Sequence, residues 1–232
     1  MIKTIAFDAD DTLWHNETLY QDAQEKIEEL LAPWSASEQT RSVLTEIELD
    51  NLDLYGYGIK AFTLSMLETA LQVSQNQIEP QVVHEILGLG RSMLQAEVSL
   101  LPNIEETLAA LSRNYRLMII TKGDLLDQTS KVARSGLEGY FSLVEVLNQK
   151  TPEAYQSILD KYRLKIENFL MIGNSLRSDI APVLALGGRA VHIPANTTWQ
   201  HEMLNNFDRT QDGYYEIDTI RHLPKLVAEI DA

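Results

Sequence analysis

The spacing of hydrophobic and polar positions changes twice along the chain of 232 residues. Ile2 to Phe7 form a short apolar run that ends in acidic residues, which is typical of a buried parallel strand. From Glu17 to Leu100, apolar positions recur at helical spacing instead, and no strand pattern interrupts them. The breaks in this stretch fall at turn-forming residues, namely Pro33, Gly56, Gly58 and Pro80. The stretch is therefore predicted to form about four helices.

After Pro102, short apolar runs alternate with helical patterns. Strands are predicted at 116–121, 142–147, 168–172, 189–193 and 214–217, and helices at 104–113, 125–135, 153–162, 177–186 and from 220 onward. This alternation predicts an α/β fold with a doubly wound, mostly parallel, Rossmann-like sheet. The first helical stretch is then an insertion after the first strand. We predict a core of residues 1–16 and 101–232 and an inserted all-helical cap domain of residues 17–100.

Charge and composition narrow the possible partners of the protein. The chain carries 34 acidic and 19 basic side chains, a formal net charge of −15. Because such a surface repels nucleic-acid backbones and anionic membranes, we expect neither as a partner. The chain has no cysteine, which excludes disulfides and a thiolate nucleophile. The sequence shows no apolar run long enough to span a bilayer, and its first residues do not have the pattern of a signal peptide. We therefore expect a cytoplasmic protein. The sequence leaves the oligomeric state open.

Polar side chains follow four of the predicted strands, at the point where each strand ends. Ligands of an open parallel sheet bind in the crevice at the carboxyl ends of its strands. The residues at those ends are 8–12 (DADDT), 121–124 (TKGD), 148–150 (NQK) and 173–175 (GNS). Together they supply acids, a hydroxyl, a lysine and an amide, which suit a hard cation and a phosphate group.

Asp8 and Asp10 lie two residues apart just past the first predicted strand, and their carboxyl groups suit a two-step phosphate hydrolysis. A phosphate monoester is a dianion that resists direct attack by water, and a carboxylate nucleophile divides the reaction through an aspartyl-phosphate. A second carboxyl group must protonate the leaving oxygen and then activate water. Read singly, two acids after a strand are more often solvated turn residues. Because the other three strand ends also carry chemically suitable residues, we favour Asp8 as the nucleophile and Asp10 as the general acid and base.

The other three strand ends provide candidate groups for phosphate and metal. The Thr121 hydroxyl is a candidate to hold phosphate oxygens at a helix N-terminus. Lys150 could neutralise charge that develops during the reaction, and Lys122 is a competing cation for this role. Asp179 offers a further carboxylate in the first turn of a helix, although an acid there also stabilises the helix dipole.

In order and placement, the four segments resemble the four motifs of the haloacid dehalogenase superfamily, in its phosphatase type with an inserted helical cap. In this resemblance Asp8 matches the nucleophile and Asp10 the general acid and base. Thr121 matches the second motif, Lys150 the third, and residues 173–179 the fourth. The resemblance implies a cap that closes over the site and a Mg²⁺-dependent phosphohydrolase that acts on a small phosphorylated metabolite. It also implies a set of binding residues, with Asp8, Asp10, Asn174 and Asp179 as metal ligands and Thr121, Lys122 and Lys150 as phosphate ligands.

This sequence departs from the family pattern at three positions. Asn174 stands where the family usually has an acid that ligates Mg²⁺. Its amide oxygen can still ligate a hard cation without contributing charge, so we expect weaker Mg²⁺ binding that Asp179 partly compensates. Asp11 stands where many relatives have Gly, and Lys122 stands where a smaller or amide side chain is common.

Several alternative functions stay open. Haloacid hydrolysis is disfavoured, because family members that perform it lack an acid at the position of Asp10. A phosphomutase remains possible, and phosphonate hydrolysis would require a cap lysine, for which only Lys26 and Lys60 are available. A phosphate-binding regulatory module without turnover would explain Asn174. The segment Pro194 to His201, beyond a strand end, is a further candidate to cover the site.

Overall fold

The structure is a computed structural model that describes residues 1–195, 199, 202, 204 and 206–231. The chain divides into two compact units, one formed by Met1–Glu17, Val98–Lys122 and Gln128–Ala232 and the other by Thr18–Glu97 and Gly123–Asp127. Within the described ranges, no helix has the length and apolar character that a membrane span requires.

Six strands and nine α-helices make up the described part of the chain. The strands are β1 (Thr4–Phe7), β2 (Arg116–Lys122), β3 (Leu143–Leu147), β4 (Phe169–Gly173), β5 (Arg189–His192) and β6 (Tyr214–Glu216). Between β1 and β2 lie α1 (Glu17–Leu31), α2 (Ser37–Tyr55), α3 (Ile59–Val73), α4 (Pro80–Gln95) and α5 (Ile104–Leu111). The later helices are α6 (Leu125–Arg134), α7 (Pro152–Tyr162), α8 (Ala181–Ala185) and α9 (Leu223–Asp231).

The strands form one parallel sheet in the order β3-β2-β1-β4-β5-β6. The first strand lies inside the sheet, where Thr4 is in register with Arg116 of β2 and Phe169 of β4. The strand order reverses beside β1, and this is where an open α/β sheet leaves a crevice for ligands. The predicted fold class, a doubly wound parallel sheet with a helical insertion after β1, is confirmed.

Both faces of the sheet are buried, which explains the uninterrupted apolar strands. Successive side chains of a strand point to opposite faces. In β2, for example, Ile119 belongs to an apolar cluster that includes residues of α5 and α9, whereas Met118 belongs to a cluster that includes residues of α7 and α8. The second compact unit has its own apolar core, contributed by α1 to α4.

One predicted element differs in the structure. The helix expected at 177–186 begins as a π-helical turn, Leu176–Ile180, and continues as the short α8. The Ser175 side chain accepts from the Ser178 N–H at 3.0 Å, and the Ser175 carbonyl accepts from the Ile180 N–H at 3.3 Å. Pro182 follows and cannot donate a backbone hydrogen bond. Within this turn, the Asp179 carboxylate accepts from the Ser175 N–H at 3.0 Å, close to the end of β4.

Candidate active site

The first strand delivers Asp8 to the carboxyl edge of the sheet. Its backbone N–H still donates to the Ile172 carbonyl at 2.8 Å, and only 6% of the residue is exposed. The Lys150 ammonium donates to Oδ1 of Asp8 at 2.5 Å, and the Thr12 hydroxyl donates to Oδ2 at 3.1 Å. Both oxygens of this carboxylate are therefore oriented by donors.

Burial raises the pKa of the Asp8 carboxyl, an effect that the Lys150 ammonium opposes and the nearby Asp179 carboxylate reinforces. A buried carboxylate loses the water that stabilises its charge, so it needs a cation close by to stay ionised at neutral pH. As a nucleophile, Asp8 thus depends on the positive charge beside it.

Lys150 joins Asp8 to Asp179. It follows β3, and its ammonium lies 2.5 Å from an Asp8 oxygen and 2.6 Å from Asp179 Oδ1. Although burial acts to lower its pKa, the two carboxylates raise the pKa of Lys150 above its ordinary value. The group is therefore a fixed positive charge between two acids, in the position needed to neutralise a phosphoryl group on Asp8.

Gly173 makes room for the Asp179 carboxylate. The Asp179 Oδ2 atom accepts from the Ser175 backbone N–H at 3.0 Å, so the side chain folds back over the end of β4. A Cβ atom at position 173 would lie 2.2 Å from that oxygen. The close approach explains a glycine at this strand end.

Asn174 is linked to Asp8 through Thr12. The Thr12 hydroxyl lies 3.1 Å from Asp8 Oδ2 and 3.2 Å from Asn174 Oδ1, so it is shared between the carboxylate and the amide oxygen. The Asn174 carbonyl lies 3.1 Å from Nε2 of the buried His192, whose Nδ1 lies 2.9 Å from Glu216. His192 thus connects the backbone at position 174 to β6.

The Asp10 side chain is held by donors from α6 and from its own loop. The Lys131 ammonium donates to both Asp10 oxygens, at 2.7 and 2.9 Å. Trp14 Nε1 donates to Oδ1 at 2.7 Å and Gln128 Nε2 donates to Oδ2 at 2.8 Å. Lys131 also donates to the Asn16 side chain at 3.1 Å. These donors fix the orientation of the Asp10 carboxylate, two residues from Asp8.

Asp11 adopts the left-handed backbone region, with φ of 58°. Glycine adopts this backbone region without strain. Aspartate tolerates this region when its side chain forms local hydrogen bonds. The Asp11 carboxylate accepts from the backbone N–H groups of Asn16 at 2.9 Å and Glu17 at 3.0 Å, and so fixes the chain where it enters α1.

Lys122 is engaged by a carboxylate that the sequence did not indicate. Its ammonium contacts Glu202 and donates to the Ser178 hydroxyl at 2.9 Å. The Ser175 hydroxyl donates to Glu202 Oε2 at 2.6 Å, and the Ser178 hydroxyl donates to the same oxygen at 2.5 Å. Burial alone would raise the pKa of Glu202, but the Lys122 charge and these donors lower it to about 2. Glu202 is thus an anion at neutral pH.

Two further predictions concern Thr121 and the segment 194–201. Thr121 is buried near the end of β2, in register with Val146 of β3. Of the segment 194–201, which was expected to cover the site, residues 196–198, 200 and 201 lie outside the described residues. In sum, the structure connects Asp8, Lys150, Asn174 and Asp179 through hydrogen bonds, while Asp10 faces Lys131 and Lys122 faces Glu202.

The side chains around Asp8 offer the ligand type that Mg²⁺ prefers. Asp8 Oδ2 and Asn174 Oδ1 meet at one hydroxyl, and Mg²⁺ sites in proteins use one or two carboxylates, water and substrate phosphate. Among the described residues, no three His, Asp or Glu side chains are grouped so that they could hold a metal ion. The Asp8 carboxylate and the Asn174 amide nonetheless offer oxygen ligands, which a hard cation can complete with water and substrate phosphate.

Sequence reasoning missed Lys131, Gln128, Ser178 and Glu202 as neighbours of the site. The first two had a signal, since Gln128 and Lys131 lie three residues apart in α6 and so form a polar stripe on one face of that helix. Such a stripe is usually a solvated face, but here Gln128 and Lys131 are buried.

Comparisons with known proteins show which family the chain resembles. A sequence profile described as "Hydrolase: haloacid dehalogenase-like hydrolase" matches residues 2–187. A crystal structure of a haloacid dehalogenase-like family hydrolase from Xanthomonas campestris is 36% identical, with a TM-score of 0.88 over 99% of this chain and 92% of that one. A glyceraldehyde 3-phosphate phosphatase from Methanocaldococcus jannaschii is 23% identical over 98% of this chain and 96% of its own length.

More distant structures share the fold alone. A 2-haloacid dehalogenase from Pseudomonas syringae is 23% identical, with a TM-score of 0.67 over 99% of this chain and all of that one. A putative hydrolase from Bacillus subtilis bound to magnesium is 17% identical, with a TM-score of 0.67 over 97% of this chain and 98% of that one. Because the profile covers most of the sequence and the Xanthomonas relative nearly all of it, the chain belongs to the haloacid dehalogenase-like hydrolase family.

Proposed function

We propose that this protein is a Mg²⁺-dependent phosphohydrolase that cleaves a small phosphorylated metabolite through an aspartyl-phosphate on Asp8. The observation that carries the proposal is the buried Asp8 carboxylate, held at one oxygen by Lys150 and at the other by Thr12. The similarity to an archaeal phosphatase that acts on a three-carbon phosphate supports the same reaction class.

The reaction proceeds in two displacements at phosphorus. An Asp8 oxygen forms a bond to phosphorus while the bond to the leaving oxygen breaks, and Asp10 gives its proton to that oxygen. Water then attacks the phosphorus of the aspartyl-phosphate, Asp10 takes a proton from the water, and the bond to Asp8 breaks. The products are an alcohol, inorganic phosphate and the regenerated Asp8 carboxylate.

The neighbouring residues carry the charge that these steps create. Lys150 neutralises Asp8 before attack and the phosphoryl group after it, with Asp179 fixing the ammonium from the other side. Thr121 and Lys122 are the further groups that we assign to phosphate binding. A bound Mg²⁺ supplies Lewis-acid neutralisation of the phosphate, and Asp8 and Asn174 would hold it, with Asp10 and Asp179 as additional ligands. We propose residues 1–16 and 101–232 as the core and residues 17–100 as a cap domain, to which we assign water exclusion and substrate choice.

Two alternative reactions are disfavoured by particular residues. Haloacid hydrolysis needs no leaving-group acid, yet Asp10 is retained and oriented by three side chains. Phosphonate hydrolysis needs a free cap lysine, but Lys26 is paired with Glu29 at 2.6 Å and Lys60 with Asp124 at 2.8 Å.

The second candidate function, a phosphate-binding regulatory module without turnover, is favoured by Asn174. An amide in place of an acid leaves the metal with less ligand charge. Against it stands the retention of both a nucleophile and an acid, since binding alone requires neither.

The test is phosphate release from a panel of phosphorylated metabolites, with Mg²⁺ and after its removal by EDTA. Asp8→Asn serves as the blank, and Asp22→Asn, on the exposed face of α1, is the matched control. We expect Mg²⁺-dependent release that only Asp8→Asn abolishes. Chloride release from 2-chloropropionate would instead show a dehalogenase, and binding of phosphate esters without turnover would show the regulatory module.

A further inference from the structure

One row of residues crosses the carboxyl ends of β4, β5 and β6. Gly173 of β4 is in register with His192 of β5, and His192 is in register with Glu216 of β6. The residue after Gly173 is Asn174, to which we assign a place at Mg²⁺ where the family usually has an acid. The contacts of this row therefore bear on the amide ligand that departs from the family pattern.

The His192 side chain binds the backbone of Asn174 just beyond the end of β4. A backbone hydrogen bond runs from the Ile193 N–H to the Gly173 carbonyl at 3.0 Å. The next carbonyl along the chain, that of Asn174, lies 3.1 Å from Nε2 of His192. Because a carbonyl oxygen can only accept, the proton of this hydrogen bond is on Nε2. The imidazole thus fixes a carbonyl that lies one residue past the strand.

The imidazole ring is itself fixed from the other side. Only 6% of His192 is exposed, and its Nδ1 lies 2.9 Å from Glu216 Oε2. The Glu216 carboxylate accepts from Arg209 Nη1 at 2.8 Å at each of its oxygens and from the Tyr214 hydroxyl at 2.5 Å. A buried ring with a partner at both nitrogens keeps one orientation, so the Asn174 carbonyl is held in one place as well.

We propose that His192 is a positioning residue for the metal site, which holds the Asn174 backbone so that the amide oxygen stays beside the Asp8 carboxylate. The inference rests on the Mg²⁺ dependence of the proposed function and adds a residue outside the four motif segments. Asn174 Oδ1 lies 3.2 Å from the Thr12 hydroxyl, which also donates to Asp8 Oδ2 at 3.1 Å. A shift of the backbone at position 174 would carry the amide oxygen away from this meeting point.

An amide ligand depends on such support more than a carboxylate does. A neutral oxygen brings no charge to the cation, so its binding offsets less of the entropy lost when the chain around it is ordered. Contacts that order the ligand before the metal binds remove this cost. Substitution of residues that orient metal ligands typically lowers metal affinity by about 10- to 100-fold. For one neutral ligand we expect the lower end of this range.

The test is calorimetric titration of Mg²⁺ into EDTA-treated protein without substrate. His192→Leu, which removes the donor from a buried position, should raise the Kd for Mg²⁺ by about 10-fold. His192→Gln, which retains an N–H donor, should raise the Kd by less. His84→Leu, the same substitution at an exposed position of α4, is the matched control and should leave the Kd unchanged. Urea unfolding of the metal-free proteins measures any effect on the fold separately.

A double-mutant cycle distinguishes positioning from a general effect on the fold. If His192 acts through the Asn174 side chain, His192→Leu should change the Kd by less than about 2-fold in protein that already carries Asn174→Ala. The same factor in both backgrounds would overturn the inference, because a purely structural role does not depend on the amide. An unchanged Kd in His192→Leu would also overturn it, whatever happens to the free energy of unfolding.

The inference and the proposed function fail in different ways. If the wild-type protein and Asn174→Ala bind Mg²⁺ equally well, the positioning role is wrong and the Mg²⁺-dependent phosphohydrolase stands. If the wild-type protein binds no Mg²⁺ and releases phosphate equally well in EDTA, the metal dependence is wrong, and the positioning role is overturned with it.

Discussion

The substitution Gly173→Ala tests whether the site depends on the fold of Asp179 over the end of β4. The added Cβ would lie 2.2 Å from Asp179 Oδ2, 2.4 Å from its Cγ and 2.5 Å from its Cβ. Unstrained contacts between such atoms need about 3.5 Å, so Asp179 must move by roughly 1 Å. Rotation of the carboxylate does not relieve the contact with Cβ, and the backbone of the turn must therefore shift.

The cost follows from the contacts that this shift breaks. Lys150 and Asp179 each have 1% of their side chain exposed and lie 2.6 Å apart. Separating a buried ion pair leaves an uncompensated charge and costs about 3–5 kcal/mol. A displacement of about 1 Å near the reacting atoms can also lower turnover by about 10²-fold.

Urea unfolding and phosphate release measure the two effects. Gly88→Ala in α4 is the matched control, because a Cβ there meets nothing within 4 Å. The control should gain about 0.5–1 kcal/mol of stability, as Ala does over Gly in a helix. If Gly173→Ala keeps wild-type turnover and loses less than about 1 kcal/mol of stability, the role given to Asp179 is refuted.

Five further perturbations test other parts of the site. Asp10→Asn should lower turnover by about 10²- to 10⁴-fold, as expected for a general acid. Lys131→Met should lower turnover by about 10-fold, the scale of one charged hydrogen bond. The loss should be smaller for p-nitrophenyl phosphate than for an alkyl phosphate. Equal losses for the two substrates would argue against a role of Lys131 in positioning Asp10. Asn174→Asp should tighten the apparent affinity for Mg²⁺ in the metal dependence of phosphate release, and an unchanged dependence would show that residue 174 is not a ligand. Asp11→Ala should destabilise the protein by about 1–2 kcal/mol in urea unfolding. Asp11→Gly should destabilise it less, because alanine is strained in the left-handed backbone region and glycine is not. The reverse order of the two variants would contradict this interpretation. The pKa of Glu202 is lowered from 4.5 to about 2, so the stability it contributes is present above pH 4.5 and is lost as the pH falls toward 2. Unfolding measured across that range should show a steeper loss in the wild-type protein than in Glu202→Gln, whereas parallel curves would show that Glu202 contributes nothing.

The sheet was predictable from the sequence because both of its faces are buried. Residues such as Met118 and Ile119 are apolar in succession, which distinguishes a strand covered on both sides from one with a solvated face. The position of Asp8 at a strand end followed from the same pattern. Helix ends were less predictable, since the turn at Leu176–Ile180 depends on a fold-back over Gly173 that only the three-dimensional contacts reveal.

The residues that contact the predicted site residues were harder to identify from the sequence than the site residues themselves. Asp10 meets Lys131 from α6, a helix that begins more than one hundred residues later in the chain. A polar residue on a helix carries no sign of which distant loop it will contact. Glu202 lies outside the strands and α-helices, where neither periodicity applies, so its contact with Lys122 had no signal in the local pattern.

The position of β1 inside the sheet has a consequence for the order in which the chain folds. Its two neighbours in the sheet begin at Arg116 and Phe169, so neither pairing can form until those strands have been synthesised. The helices α1 to α4, by contrast, contact one another over short separations and bury a core of their own. Local contacts form faster than distant ones. On the ribosome, the inserted helices can therefore fold while β1 is still unpaired. Asp8, the proposed nucleophile, acquires its surroundings only when β4 has emerged.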